Sequence, residues 1–275
     1  MSRRNGRILD QAVSTIFATK IKRIQARLFH NLPAAIRPFW SRWIQRPLGL
    51  RLTDCGNGNC VDIAFGATRR LSVTFLGNNN RVIIKSDASV CDVQIHILGN
   101  DSLIEISEDC RIDRALFWMT ESSSEIRIGL GTFLQESRIF LTDRRCSVRI
   151  GQRCMIANGS ELRCGDGHAI FSLNDGEILN RAHFILLEDN VWLASRVFVL
   201  KDVTVGTGSI VGAGSVITKS IPPYTLAAGV PARALRSGVT WREENIDRLP
   251  SGWFESGRHD SQAVSTDRRC PEPKA

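Results

Sequence analysis

Five histidines and eight cysteines are the side chains of this 275-residue sequence best suited to proton transfer, metal ligation or nucleophilic attack. An imidazole of unperturbed pKa about 6.5 takes up a proton near neutral pH, whereas a thiol acts only where its thiolate is populated. The cysteines fall at 55, 60, 91, 110, 146, 154, 164 and 270 and form no CxxC pair, so no zinc or redox motif is spelled out. Eight cysteines in a chain of this length suit a reduced, cytoplasmic protein better than a disulfide scaffold. Two histidines have informative surroundings: His168 ends the stretch Arg163-Cys-Gly-Asp-Gly-His168, and His183 lies further along the same segment. Asp166 either orients the His168 imidazole or forms the turn before it. His30 and His259 belong to no constellation.

The elements that must position these groups follow from a repeat. A shift of 22 residues aligns Ile84, Ile106, Ile128 and Ile150; six residues on come Val90, Ile112, Leu134 and Ile156, and six more bring His96, Trp118, Phe140 and Leu162. Downstream, Leu187, Leu193, Val199, Val205, Val211 and Ile217 follow at an unbroken spacing of six. This pattern predicts a coil with three flat faces, in which every sixth residue points inward and stacks on its equivalent one turn later. His96 then occupies an inward position as a buried or interface histidine. Cys110, Cys154, Ser209 and Ser215 occupy the small-residue positions of the pattern and are expected to pack rather than react. The extra residues of each unit fall at one corner, as at Gly99-Asn100-Asp101-Ser102. Between Leu162 and Leu187 the same corner carries an insertion of 19 residues beyond the regular six; His168 opens it and His183 closes it.

Charge divides the chain differently. Residues 1–51 carry eleven Lys or Arg against Asp10 alone, while the rest holds 25 basic and 27 acidic side chains. A near-neutral body argues against a nucleic-acid binder, which spreads positive charge over its folded surface. Within the basic arm, Val13, Ile16, Phe17, Ile21, Ile24 and Leu28 recur at helical spacing. They predict an amphipathic helix over 8–32 that packs on the body, with peripheral membrane contact, aided by Trp40 and Trp43, as the other reading. No secretory leader is expected, and no apolar run approaches the roughly 18 residues of a membrane span. The expected organisation is a basic helical segment over 1–55, a β-solenoid over 56–236 with its loop insertion at 163–186, and a partly disordered extension over 237–275.

The run Val205-Gly-Thr-Gly-Ser-Ile, Val211-Gly-Ala-Gly-Ser-Val, Ile217-Thr-Lys-Ser-Ile-Pro-Pro-Tyr and Ala228-Gly-Val-Pro-Ala-Arg resembles the hexapeptide-repeat acyltransferases. Within them it is most similar to the sugar O-acetyltransferases and the lipopolysaccharide or capsule acetyltransferases. The resemblance implies a left-handed parallel β-helix, a homotrimer, and acetyl-CoA in clefts between subunits. It also implies that His168 is the general base acting on a sugar hydroxyl of a cell-envelope polysaccharide or its precursor, with His183 as runner-up. Val191-Trp192-Leu193-Ala194-Ser195 resembles the family's Val-Trp-Ile-Gly-Ser, which makes Ser195 a candidate oxyanion stabiliser and Trp192 a wall of the cleft. Ala213, between Gly212 and Gly214, matches the segment that meets the pantetheine, and Thr218, Lys219, Arg233 and Arg236 match positions at the nucleotide end. Where the family often places an acceptor-side asparagine, this chain has Glu136, Ser137 and Arg138, so its acceptor is differently held. Two other classes stay open: a β-helix metalloenzyme of the carbonic-anhydrase type, which needs three grouped histidines, and a catalytically silent solenoid scaffold. Zinc is not expected.

Overall fold

The computed structural model describes residues 49–64 and 67–244. The helix expected over 8–32, Trp40, Trp43, His30, His259 and the extension beyond 244 lie outside the described residues. Within them the chain winds as a left-handed parallel β-helix of about eight turns, each turn adding one short strand to each of three sheets. The first face has eight strands, from Leu50–Asp54 to Val216–Ile217. The second has seven, from Cys60–Ile63 to Val203–Val205, and the third has nine, from Ala67–Arg69 to Ala232–Ser237. The described strands pair in parallel except at the end, where Thr225–Gly229 and Ala232–Ser237 form an antiparallel hairpin. We call the turn from first to second face the leading corner, the next the middle corner, and the return to the first face the closing corner.

Strands this short cannot bury a core alone, and the repeat overcomes that by stacking. On the second face Ile84, Ile106, Ile128, Ile150, Leu187 and Val205 lie in register, one above the next, and all are buried. Adjacent residues alternate between this interior column and solvent. The middle corner adds a second column, Ala88, Cys110, Thr132, Cys154, Val191 and Ser209, also buried. Its polar members bond to the coil above: Cys110 Sγ reaches Gly129 O at 3.1 Å, Thr132 Oγ1 Gly151 O at 2.8 Å and Cys154 Sγ Glu188 O at 3.1 Å. Burial pushes the Cys110 thiol up to about 11 and the Cys154 thiol up to about 12, which keeps both protonated and unreactive. Six of the described cysteines are outside disulfides; Cys91 is in a disulfide, which departs at that position from the all-thiol expectation.

The inward placement of His96, Trp118 and Phe140 is corrected. These three face outward, and Ile95, Ile97, Phe117, Met119, Ile139 and Leu141 fill the interior instead. In these turns the first inward residue of the first face comes five positions after Val90, Ile112 or Leu134, whereas Leu162 comes six after Ile156. One residue fewer at the closing corner sends the side chains of that first-face strand to the opposite side, and one more at the leading corner restores the register on the second face. His96 therefore stacks on Trp118 on the outer surface, ring centroids 4.8 Å apart, and partial burial lowers its pKa. Phe140 in turn sits beneath Arg163, whose guanidinium carbon is 4.6 Å from its ring centre. Phe117→Ala is expected to lower unfolding stability by about 3–5 kcal/mol, since the ring is fully buried between Ile95 and Ile139. Denaturant titration checks this, and a loss under about 1 kcal/mol would contradict the inward register.

Candidate active site

The 19-residue insertion leaves the coil at the leading corner, between the strands Glu161–Cys164 and Phe184–Leu187. Gly165 makes the exit with φ of +119°, where a Cβ would stand 2.3 Å from Thr142 Oγ1, so only glycine fits. The insertion folds as a small hairpin arm, held by a bridge between Phe171 and Ile178 and by Leu179 N–H donating to Ile170 O at 2.8 Å. Ile170, Phe171, Leu173 and Leu179 are exposed along it.

His168 stands near the base of this arm with its ring exposed. Its backbone is held from the returning limb: Asn180 Nδ2 donates to His168 O at 2.8 Å and to Asp166 Oδ2 at 2.6 Å, while Asn180 Oδ1 accepts from Ile170 N–H at 2.8 Å. Lys201, at the same corner one turn on, pairs with Asp166 and donates to Asn180 O at 2.8 Å. Asp166 thus ties the arm together through Asn180 and Lys201. Burial opposes its ionisation, but Lys201 and Asn180 outweigh that and hold the carboxyl below its ordinary value. A depressed carboxylate contributes at neutral pH, and the contribution is lost only as the pH falls through the lowered value.

His183 closes the arm at the same corner. Its N–H donates to Asp202 Oδ1 at 2.9 Å, and its Nδ1 lies 3.2 Å from the same oxygen, with the side chain largely exposed. His96 is on the outer first face, three strands away from Glu161–Cys164, so it does not join His168 and His183 in a metal-binding group.

Ser195 is placed elsewhere, at the closing corner. Its hydroxyl donates to Asn158 Oδ1 at 2.6 Å, and Asn158 O accepts Arg196 N–H at 2.9 Å. With the hydroxyl proton committed to Asn158, the amide remains as the group with which Ser195 can meet an oxyanion. Ala213 is exposed in the next turn at this corner, where Gly214 N–H donates to Ser195 O at 3.0 Å. Ser209 and Ser215 are buried and bond to Pro222 O at 2.8 Å and Gly212 O at 2.6 Å, as packing residues do.

Trp192 lies on the third face, partly covered by Trp241 of the same chain, ring centroids 5.7 Å apart; Trp241 Nε1 also donates to Asn190 O at 2.7 Å. Thr218 and Lys219 are exposed at the leading corner, on the edge that carries His168. Arg233 and Arg236 are exposed on the terminal hairpin of the third face. One chain therefore groups His168, Thr218 and Lys219 on one edge of the first face, and Ser195 and Ala213 on the other. Asn158, Asn180, Lys201 and Trp241 were missed by sequence reasoning. Only Asn158 left a signal, since Ile156-Ala-Asn158 repeats the pattern of Leu193-Ala-Ser195 one coil earlier.

A family model described as "Bacterial transferase hexapeptide (six repeats)" matches residues 184–219. The chain is 30% identical over 147 residues to a polysialic acid O-acetyltransferase of Escherichia coli O1:K1 / APEC, covering 54% of this chain and 43% of that protein. It is 36% identical over 115 residues to the galactoside O-acetyltransferase of Escherichia coli K12, covering 41% and 54%. The chain thus spans about half the length of these curated relatives. Among solved structures it is similar to the polySia-specific acetyltransferase NeuO, with a TM-score of 0.67 and 30% identity over 73% of this chain and 92% of that one. It is also similar to the polysialic acid O-acetyltransferase OatWY, with a TM-score of 0.69 and 27% identity over 72% and 94%.

Proposed function

Because the chain belongs to the hexapeptide-repeat acetyltransferase family, we propose that it transfers an acetyl group from acetyl-CoA to a sugar hydroxyl of a cell-envelope polysaccharide or its precursor. The relatives named for polysialic acid and galactosides support a saccharide acceptor. His168 is the general base: it takes the hydroxyl proton as the oxygen attacks the thioester carbonyl, then returns it to the departing thiolate. The Ser195 amide faces the charge that develops on the carbonyl oxygen.

The observation that carries this reading is the separation of these two groups. His168 and Ser195 belong to opposite edges of the first face, and a strand of four residues sets such edges about 10–13 Å apart. Edges so far apart favour a site completed by a second chain. A homotrimer with first faces turned toward the threefold axis brings the leading corner of one copy against the closing corner of the next, so each site is shared. The uncovered apolar side chains of the arm, Ile170, Phe171, Leu173 and Leu179, suit packing on that neighbour.

The residues present fit the donor. Lys219, Arg233 and Arg236 are exposed and in no ion pair among the described residues, as phosphate partners must be. A Cβ at Gly214, next to Ala213, would meet nothing within 4 Å, which leaves room for a thin pantetheine arm. Thr218 adds a hydroxyl beside Lys219, and Trp192 walls the third-face side together with Trp241. Titration calorimetry should register acetyl-CoA binding to the intact chain. Lys219→Ala or Arg236→Ala should weaken it about tenfold while sparing dephosphorylated fragments. Absence of any coenzyme binding would overturn the assignment in favour of a silent scaffold.

Among the described residues no helix is long and apolar enough to cross a membrane. Peripheral contact through the basic residues before 55, and cytoplasmic residence, stand as parts of the proposal.

A further inference from the structure

The hydrogen bonds at the base of the arm do more than close a loop. His168 follows Gly165 and Gly167, both at positive φ, so two of the three residues that lead into it lack the side chain that would restrict their backbone. A base on so loose a stem needs an external restraint to hold its ring in one place. Asn180 supplies it from both sides of the histidine. Its amide nitrogen donates to the carbonyl of His168 itself, and its amide oxygen accepts the N–H of Ile170, two residues on. The same nitrogen donates to Asp166, two residues before. One side chain therefore holds the backbone at His168 and after it, and the Asp166 carboxylate ahead of it.

Asn180 is itself anchored to the rigid solenoid. Lys201 belongs to the next coil, between the strands Phe198–Leu200 and Val203–Val205, and donates to Asn180 O while pairing with Asp166. From the coil below, Asp143 Oδ2 accepts Ala182 N–H at 2.8 Å, so the returning limb is held on both sides. We propose that Asn180, seated by Lys201, is the positioning residue that aims His168 at the acceptor hydroxyl, acting through the backbone and touching no substrate. The inference rests on His168 being the base.

The bonding pattern makes the roles of the substituents specific. Asparagine offers a donor and an acceptor at once, and both are used here. Aspartate cannot donate, and its carboxylate would stand against that of Asp166, so even this isosteric change removes the restraint. Alanine removes it without adding repulsion.

The test is a double-mutant cycle on the full chain with acetyl-CoA and a saccharide acceptor. Asn180→Ala should lower kcat about ten- to a hundredfold, the effect of a misplaced catalytic group, and leave the KM for acetyl-CoA unchanged. Lys201→Met should give a smaller loss of the same kind. His168→Ala and His168→Ala/Asn180→Ala should have equal turnover, because a group that acts only through His168 has nothing left to position. Thermal unfolding of the single variants should match that of the unaltered protein, since the arm lies outside the stacked core. Full turnover in Asn180→Ala, or losses that multiply in the double variant, would overturn the inference while leaving His168 as the base. Full turnover in His168→Ala would fail the base assignment itself, and the inference with it.

Discussion

Replacing His168 by alanine is expected to lower acetyl transfer by about 10²- to 10⁴-fold, the range found when a positioned acid or base is removed. Acetyl-CoA affinity and the proposed trimer should survive the change, because the ring is exposed on an arm that projects from the coil and contributes nothing to the interior column. His183→Ala serves as the comparison. Its side chain is mostly exposed, and Asp202 also holds its backbone N–H, which alanine retains. Only a small loss of turnover and of stability is expected there. Steady-state rates of both variants with one acceptor decide the matter. Unchanged turnover in His168→Ala would remove the base from this arm's stem and direct the search to His183 or to Glu136.

The second large effect is recovery rather than loss. If each site combines the leading corner of one copy with the closing corner of the next, two inactive chains restore one another. His168→Ala disables the first edge, and Ala213→Trp, at an exposed turn, places bulk where the pantetheine must pass on the second. Each variant alone is expected to lose at least about a hundredfold in rate. Mixed at random in equal amounts, about a quarter of the junctions in a threefold ring pair an intact His168 edge with an intact Ala213 edge. Co-expression should therefore return activity to roughly that fraction of the unaltered protein. Rates no higher than those of the separate variants would place the whole site within one chain, against the edge geometry.

Particular residues show where sequence reasoning reached and where it stopped. Leu187, Leu193, Val199, Val205, Val211 and Ile217 kept their spacing of six, and all are buried as the pattern required. Cys110 and Cys154 likewise proved to be corner packing with raised thiol pKa values. The same arithmetic misdirected His96, Trp118 and Phe140, because periodicity counts residues and cannot tell at which corner one has been dropped. Asp166 was weighed between orienting the imidazole and forming the turn, and its bonds go instead to Lys201 and Asn180, partners distant in sequence.

The sequence by itself determined the coil: a spacing of six with small residues at fixed offsets is a local pattern, and inward alternation with coil-on-coil stacking is the arrangement that buries it. It also located the arm and singled out His168, since an insertion in a strict repeat is visible as a break in the count. Only the tertiary structure decided which corner each group occupies and what holds it there. Side-chain direction depends on where within a turn a residue is gained or lost: the one dropped before Ile95, Phe117 and Ile139 is regained at the next corner, which inverts one strand and leaves the 22-residue spacing intact. A contact such as Lys201 with Asp166 joins adjacent coils across 35 residues of chain, and side-chain reach across that stacking distance leaves no periodic trace.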